Sequence, residues 1–169
     1  TVMNNGAILS GTFSGSVDNT DGTIYGGTFH GNNSVETAIG GTIDVTGTLG
    51  GTSYFSSGVT VEADGMITSG NYFGEVTNDG TIEGGAFTGS MENAGDITGG
   101  TFELAGNYTQ TAGSFTQVDD FSAANFDLQG GTFTDATPTA HTFTVPGSFS
   151  VPDSGGSFNR YGAKDGEGY

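Results

Sequence analysis

Apolar residues recur along this chain at a short fixed interval, each flanked by small or polar residues. The segment Ile82-Glu-Gly-Gly-Ala-Phe87 returns fifteen residues later as Ile97-Thr-Gly-Gly-Thr-Phe102. An apolar residue between polar neighbours is typical of a three-residue β-strand with one side chain turned inward. The consensus of the series is x-Ile-x-Gly-Gly-x-Phe-x-Gly-x-Val-x-Asn-x-Gly, and its other members are Ile8…Phe13…Val17, Ile24…Phe29, Ile67…Tyr72…Val76 and Leu128…Phe133.

The residues between these strands are those that turn a chain. Gly-Gly, Gly and Asn-x-Gly accept positive φ at little cost. Three short strands and three corners per unit predict a triangular coil of about 15 residues, with Ile stacked on Ile, Phe on Phe and Val on Val. No unit could bury its side chains alone, so only a stack closes the core. At about 4.8 Å per coil, about ten coils would form a rod of roughly 45–50 Å.

The pattern therefore predicts an all-β fold, a single-stranded β-solenoid or β-helix. An α-helix is excluded because glycine recurs every few residues and each costs about 1 kcal/mol in a helix. A β-sandwich is the competing interpretation, since short strands and glycine turns suit it too. Its strands would be longer and would follow no fixed unit, which favours the solenoid.

The regular pattern is interrupted at residues 33–63 and 104–127. The first interruption is interpreted as wider coils or a surface excursion. In the second, the predicted inward positions are Tyr108, Phe115, Phe121 and Phe126. We predict a solenoid repeat domain over residues 1–137. A strand-rich C-terminal extension over 138–169 would then have longer alternating strands, an exposed tail and the potential to join subunits. Pro146 and Pro152 in this extension suit edge strands.

Some segments resemble a known group of repeat proteins. Residues 76–82 and 91–97 are similar to the hydrophobic-x-Asn-x-Gly-x-Ile repeat of secreted bacterial β-helices, namely filamentous haemagglutinins and autotransporter passengers. Residues 107–117 (NYTQTAGSFTQ) resemble a segment of autotransporter-type surface repeat proteins. The resemblance covers most of residues 1–133, although the coils here are shorter than is usual in that group. It implies a right-handed solenoid outside the cell or on its surface, serving adhesion, biofilm matrix or filament formation, and it carries over no catalytic residue.

The charge of the chain is almost entirely of one sign. Among 169 residues, 19 are acidic and two are basic, so the formal net charge is −17. The two basic residues are Arg160 and Lys164. Nucleic acids and anionic membranes are disfavoured as partners, because both are bound through cationic side chains. Disorder is disfavoured because 13 Phe recur at fixed positions. The start TVMNNG is interpreted either as a processed N-terminus or as an artificial boundary.

The sequence offers little catalytic or metal-binding chemistry. His30 and His141 are the only histidines, there is no cysteine, and neither histidine lies in a nucleophile motif. The densest carboxylate pair, Asp119-Asp120, is not part of an Asp-x-Asp-x-Asp-Gly loop or of a Gly-Gly-x-Gly-x-Asp repeat. We expect solvated carboxylates, no cofactor and no metal site, with surface Ca²⁺ as the one ion that the acidic wall could take.

Other activities of β-helices are also disfavoured. Paired carboxylates can hydrolyse glycosides, but without Lys or Arg on the rod the chain is predicted not to be an enzyme. Threonine arrays that bind ice are interrupted here by Ala7, Ala86 and Asp96, so ordinary strand-surface threonines are expected. Two N-glycosylation sequons begin at Asn32 and Asn107 and are consistent with chance.

The predicted function follows from the ends of the stack. Natural solenoids usually cap their end coils, whereas Val2 and Ile8 already occupy repeat positions. Uncapped edges favour strand addition by a second copy, and a contact that does not close generates a head-to-tail homopolymer. The alternatives are a monomeric module of a larger adhesin that recognises a glycan through exposed Tyr and Asn, and a glycan-cleaving enzyme. The residues predicted to mediate self-assembly are Val2, Ile8, Phe149, Val151, Phe158, Arg160 and Lys164.

Overall fold

The structure, a computed structural model, describes residues 2–13, 17–19, 22–29, 38–39, 42–45, 47–51, 54–56, 58–117, 119–135, 142–152 and 155–160. Every regular element in these residues is a β-strand, and every strand pair is parallel. No helix able to cross a membrane occurs in this part of the chain. The strands are β1 (Val2–Met3), β2 (Ala7–Ile8), β3 (Thr12–Phe13), β4 (Val17–Asp18), β5 (Thr23–Ile24), β6 (Gly27–Phe29), β7 (Ala38–Ile39), β8 (Thr42–Val45), β9 (Thr48–Gly51), β10 (Tyr54–Phe55), β11 (Val59–Val61), β12 (Met66–Ile67), β13 (Asn71–Tyr72), β14 (Val76–Asn78), β15 (Thr81–Ile82), β16 (Ala86–Phe87), β17 (Met91–Asn93), β18 (Asp96–Ile97), β19 (Thr101–Gln110), β20 (Ser114–Gln117), β21 (Phe121–Leu128), β22 (Gly131–Asp135), β23 (Phe143–Thr144), β24 (Phe149–Ser150) and β25 (Gly156–Arg160).

The strands stack on three faces, which confirms the all-β solenoid. The first face holds β1, β4, β7, β10, β13, β16, the starts of β19 and β21, and β23. The second holds β2, β5, β8, β11, β14, β17, the ends of β19 and β21, and β24. The third is a nine-stranded sheet running from β3 to β25. The described strands thus form nine coils rather than about ten, because several coils are longer than 15 residues.

The core consists of side chains stacked in columns, one per face. On the first face, Phe55, Tyr72, Phe87 and Phe102 are buried, with successive ring centroids 4.7, 4.9 and 5.0 Å apart and nearly parallel planes. The spacing follows from the distance between hydrogen-bonded strands. Burying each such ring contributes about 1.5–3 kcal/mol, and each ring pair adds about 0.5–1.5 kcal/mol.

The columns become aromatic on all three faces in the last coils. In the eighth coil Phe121, Phe126 and Phe133 meet edge to face, with ring centroids 5.1 to 6.0 Å apart. The predicted inward positions in the second interruption are confirmed, because they are buried, namely Tyr108, Phe115, Phe121 and Phe126.

The repeat motif changes face along the chain. Ile24 lies on the second face and Phe29 on the third, whereas Ile82 lies on the third and Phe87 on the first. Like residues therefore stack on like within each block, as with Ile82 on Ile97. Across residues 33–63 the columns mix, and Ile24 shares its column with Val59. The described residues of this segment form coils wider than 15 residues, as one of the two interpretations predicted.

The described residues from 142 to 160 continue the same solenoid. Strands β23 and β24 pair with β21, and β25 pairs with β22, so together they form the ninth coil. The predicted boundary between 137 and 138 falls outside the described residues. The prediction of longer strands is wrong for β23 and β24, which have two residues each. Pro146 and Pro152 lie between strands, where the missing N–H interrupts no ladder.

Candidate functional site

The first coil leaves part of the core uncovered. Among the described residues, β1, β2 and β3 each pair with one neighbour, so their outer edges are open. Val2 is 42% exposed, whereas Ile8 is 9% exposed and Phe13 is half-buried against the core. Two outward side chains of this coil, Met3 and Leu9, are 74% and 72% exposed. We call the surface formed by β1, β2 and β3 the leading end.

The leading end satisfies its buried polar group within the chain. The Nδ2 of Asn4 donates to Oδ1 of Asn19 at 2.6 Å, and Oδ1 of Asn4 accepts the backbone N–H of Gly6 at 3.2 Å. The side-chain amide of Asn4 is therefore hydrogen-bonded within the chain. The side chains that the leading end exposes are predominantly apolar.

The ninth coil ends in three phenylalanines, one per face. Phe143, Phe149 and Phe158 meet edge to face, with centroids 5.4, 5.5 and 6.0 Å apart. Each ring stacks on a ring of the eighth coil at 5.1 to 5.3 Å. Phe149 is nevertheless 45% exposed, and Val151 is half-buried. We call the surface formed by β23, β24 and β25 the trailing end; in the described residues each of these strands also pairs on one side alone.

The two ends terminate the same three columns. The first-face column begins near Val2 and ends at Phe143, and the second runs from Ile8 to Phe149. The third runs from Phe13 to Phe158. Within the described residues, each end therefore presents one apolar side chain per column together with three open strand edges, and such edges can accept another parallel strand.

The predicted assembly residues divide between these two surfaces. Val2 and Ile8 belong to the leading end, and Phe149, Val151 and Phe158 to the trailing end. Arg160 is the last residue of β25 and pairs in register with Asp135. Lys164 lies outside the described residues. The role of these residues in assembly stays a prediction.

Sequence reasoning missed two residues of these surfaces. Phe13 and Phe143 complete the triads of apolar residues at the leading and trailing ends. Phe13 was visible as the aromatic position of the first repeat. Phe143 was visible only as one apolar residue in an alternating segment, so its face could not be assigned before the register was known.

A surface cavity of about 210 Å³ lies on the first face, between the seventh and ninth coils. Oδ1 of Asp120 accepts the N–H of Thr142 at 2.6 Å and its hydroxyl at 3.0 Å, so this carboxylate ties two coils together. Within the described residues no three His, Cys, Asp or Glu side chains are grouped to hold a metal. His30 and His141 lie outside those residues. The cavity is lined by Phe102, Glu103, Asp120, Phe121, Ser122, Thr142 and Thr144.

Two tyrosines have a raised pKa, and both are structural. Burial raises the pKa of Tyr72 and of Tyr108 far above the usual value, and for Tyr108 a hydrogen bond with Asn93 offsets part of the effect. The Tyr72 hydroxyl donates to the Ser69 carbonyl, and the Tyr108 hydroxyl donates to Oε1 of Gln110, both at 2.8 Å. Both side chains are fully buried, so neither can meet a substrate.

Comparison with known proteins assigns this chain to no family: no family model matches it, and no match was found among curated proteins or among solved structures. The geometry of the two ends therefore provides the basis for a functional assignment.

Proposed function

We propose that the protein is an extracellular structural protein that assembles end to end into a β-solenoid filament, serving a surface matrix or adhesion. The observation that carries this proposal is that all three core columns reach both ends. Side chains at both ends are partly exposed, with Val2 at 42% and Phe149 at 45%. Exposed core residues beside open strand edges favour the addition of another coil.

The columns define the register of the joint. Placing the leading end of one copy on the trailing end of another brings Val2 over Phe143, Ile8 over Phe149, and Phe13 over Phe158. Strands β1, β2 and β3 would then continue the parallel ladders of β23, β24 and β25. An aliphatic residue against an aromatic ring is already accommodated within the chain, where Met91 pairs in register with Tyr108 and Ile97 with Phe115.

The two ends differ, which makes the proposed contact directional. The leading end is mainly aliphatic, and the trailing end carries three aromatic rings. Two different complementary surfaces on one chain form a heterologous contact, which generates a filament when its rotation does not close a ring.

The proposed location outside the cell rests on two features of the sequence. The repeat resembles that of filamentous haemagglutinins and autotransporter passengers, which are secreted. The net charge of −17 would keep rods apart laterally, because like charges repel. An extracellular matrix or adhesive role fits a thin, well-separated fibre.

Substituting a glutamate for an apolar residue of a core column, at either end of the rod, tests the proposal. We expect wild-type protein to form filaments by electron microscopy and to sediment as polymers. Val2→Glu and Phe149→Glu should each abolish polymers, because a carboxylate would be buried without a partner at the joint. Both positions are partly exposed in a single copy, so the variants should retain the far-ultraviolet spectrum of the wild type.

Matched controls add the same charge one residue away on the outward side. Met3→Glu and Ser150→Glu lie next to the two test positions and point away from the core. They should polymerise like the wild type. A wild type that stays monomeric at millimolar concentration, or a Phe149→Glu variant that polymerises normally, would contradict the assembly proposal.

A further inference from the structure

One exposed aromatic side chain is not explained by the ends of the rod. Among the described residues, the large hydrophobic side chains that are exposed are Val2, Met3, Leu9, Phe73 and Phe149. Four of them belong to the first and ninth coils. Phe73 follows β13 in the fifth coil and is 51% exposed. It lies on the flank of the solenoid, where no end contact could cover it.

Phe73 belongs to a small aromatic platform. Its ring stacks on that of Tyr54 in the preceding coil, with centroids 5.5 Å apart and planes inclined by 11°. Tyr54 precedes the buried Phe55, and Phe73 follows the buried Tyr72, so both rings stand outward on the first face. We call this pair the Tyr54–Phe73 platform.

Small residues leave the far face of the Phe73 ring open. Tyr54 covers the face of the Phe73 ring that is directed toward the fourth coil, so the opposite face of the ring is directed toward the sixth coil. There the first face carries Ala86 and Thr88, which flank the buried Phe87. Neither is large enough to continue the aromatic stack. The space over Ala86 and Thr88 is therefore a step in the sheet surface, bounded on one side by a ring face.

In its described residues, this part of the first face carries no charged side chain. The outward positions in the fourth to sixth coils are filled by uncharged residues, whereas the other faces carry Glu83, Glu92 and Asp96 in the same coils. Glu75, beyond Gly74, marks one edge of the neutral patch, and Glu103 is the first carboxylate further along the face. The uncharged outward residues are Tyr54, Ser56, Asn71, Phe73, Ala86 and Thr88.

We propose that the Tyr54–Phe73 platform is a binding subsite for a neutral sugar ring of a glycan. The apolar C–H face of a pyranose would stack on the open face of Phe73, as apolar groups do on aromatic rings. Its hydroxyls would bond the Asn71 amide and the Thr88 hydroxyl, which supply the few polar groups that orient a ligand. Thr88 Oγ1 already donates to the Tyr72 carbonyl at 3.4 Å, so toward the sugar this oxygen would act as an acceptor.

Charge selects the class of ligand. A chain with a net charge of −17 repels acidic polysaccharides and nucleic acids. A second copy of this acidic rod that approaches sideways is repelled in the same way. A neutral glycan is not repelled, and it gains the stacking contact with the Phe73 ring. The platform lies on the flank, so it would remain open in a filament, where its repetition would add avidity.

Binding of neutral hexasaccharides tests this subsite. Cellohexaose, chitohexaose and maltohexaose would be titrated into isotopically labelled Phe149→Glu protein, which should stay monomeric, with amide shifts as the readout and with each further substitution made in this background. At least one should shift the amides of Asn71 and Thr88. Phe73→Ala should weaken that binding about tenfold, as expected for the loss of one ring-stacking contact, and Tyr54→Ala should weaken it several-fold. A polygalacturonate hexamer should not bind.

The controls separate this subsite from the end surfaces. Tyr25→Ala removes another partly exposed tyrosine in the second coil and should bind like the wild type. Val2→Glu and Phe149→Glu should also bind like the wild type per chain, whether or not they polymerise. Failure of all three neutral hexasaccharides at millimolar concentration, equal binding by Phe73→Ala, or an effect of Phe73→Ala on lateral association alone would overturn the proposal.

Discussion

At the scale of single residues, the asparagine of the Asn-x-Gly corner lies inside the solenoid. Sequence reasoning assigned it to a turn, but Asn78 and Asn93 are fully buried. Nδ2 of Asn78 donates to Oδ1 of Asn93 at 2.7 Å, and Nδ2 of Asn93 donates to the Gly95 carbonyl at 3.2 Å. The ladder stops at Asn78 because its register partner on the other side is Val61, which has no donor. Oδ1 of Asn78 is accordingly buried without a hydrogen bond.

This asymmetry predicts unequal costs for two substitutions. Asn93→Val removes the acceptor of Asn78 Nδ2 and should lower the free energy of unfolding by about 1–3 kcal/mol, because a buried donor is left unpaired. Asn78→Val should cost less, since it also removes the buried Oδ1 that lacks a partner. The double variant should lie close to Asn78→Val. The measurement is urea denaturation of all four proteins, and an Asn78→Val variant as unstable as Asn93→Val would contradict the ladder.

At the scale of elements, the second glycine of the Gly-Gly corner leaves room for the buried aromatic ring that follows it. Gly85 and Gly100 have φ of +116° and +118°, a region that other residues enter only at a cost. A Cβ on Gly85 would lie 3.1 Å from ring atoms of both Tyr72 and Phe87. The corner thus depends on glycine for its backbone angle and for the space beside the stacked rings.

Gly85→Ala should therefore destabilise the protein by about 1–3 kcal/mol through backbone strain and crowding of the ring stack. Gly58→Ala is the matched control, because its Cβ would make an ordinary 3.5 Å contact with the Glu75 carbonyl and its φ is not positive. Thermal unfolding followed by circular dichroism compares the two variants. Equal melting temperatures would show that the corner tolerates a side chain.

The sequence predicted the strands and columns of this fold better than their faces. The repeat correctly paired Ile82 with Ile97 and Phe87 with Phe102, because identical neighbours in a stack satisfy the same packing. It could not show that the motif of Ile24 lies on different faces from that of Ile82. A corner needs a glycine and an inward apolar residue on each side, and these demands are the same at every corner of the triangle.

The candidate ends were predictable only in part, for a related reason. Val2 and Phe149 could be named as exposed core residues from the repeat and from alternation. The roles of Phe13 and Phe143 depend on which strands follow them in each column, which is a long-range property. The Tyr54–Phe73 platform likewise joins residues 19 positions apart in two coils, and no short motif announces it.

At the scale of the whole molecule, the second-face column changes from aliphatic to aromatic along the rod. The second-face column passes from Ile8 and Ile24 to Val76 and Met91, and then to Tyr108 and Phe126. This gradient distinguishes the two ends and gives the rod a direction. The charge of the chain, in contrast, is almost entirely acidic, with 19 acidic residues against two basic ones, so assembly along the axis and association between rods would obey different forces.

Lateral association between rods should respond to charge neutralisation, whereas the end-to-end joints between chains should not. At neutral pH and low salt, the net charge of −17 per chain should keep filaments separate. Lowering the pH below about 4 protonates the carboxylates, and millimolar Ca²⁺ can bridge them, so both treatments should bundle filaments sideways. NaCl at the same ionic strength as the CaCl₂ screens without bridging and should bundle them less.

Turbidity and electron microscopy would follow the change, with Phe149→Glu as a control that lacks filaments to bundle. Equal bundling in NaCl and CaCl₂ would exclude bridging by the acidic flank, and polymers that dissolve at low pH would show that the joints themselves depend on charge.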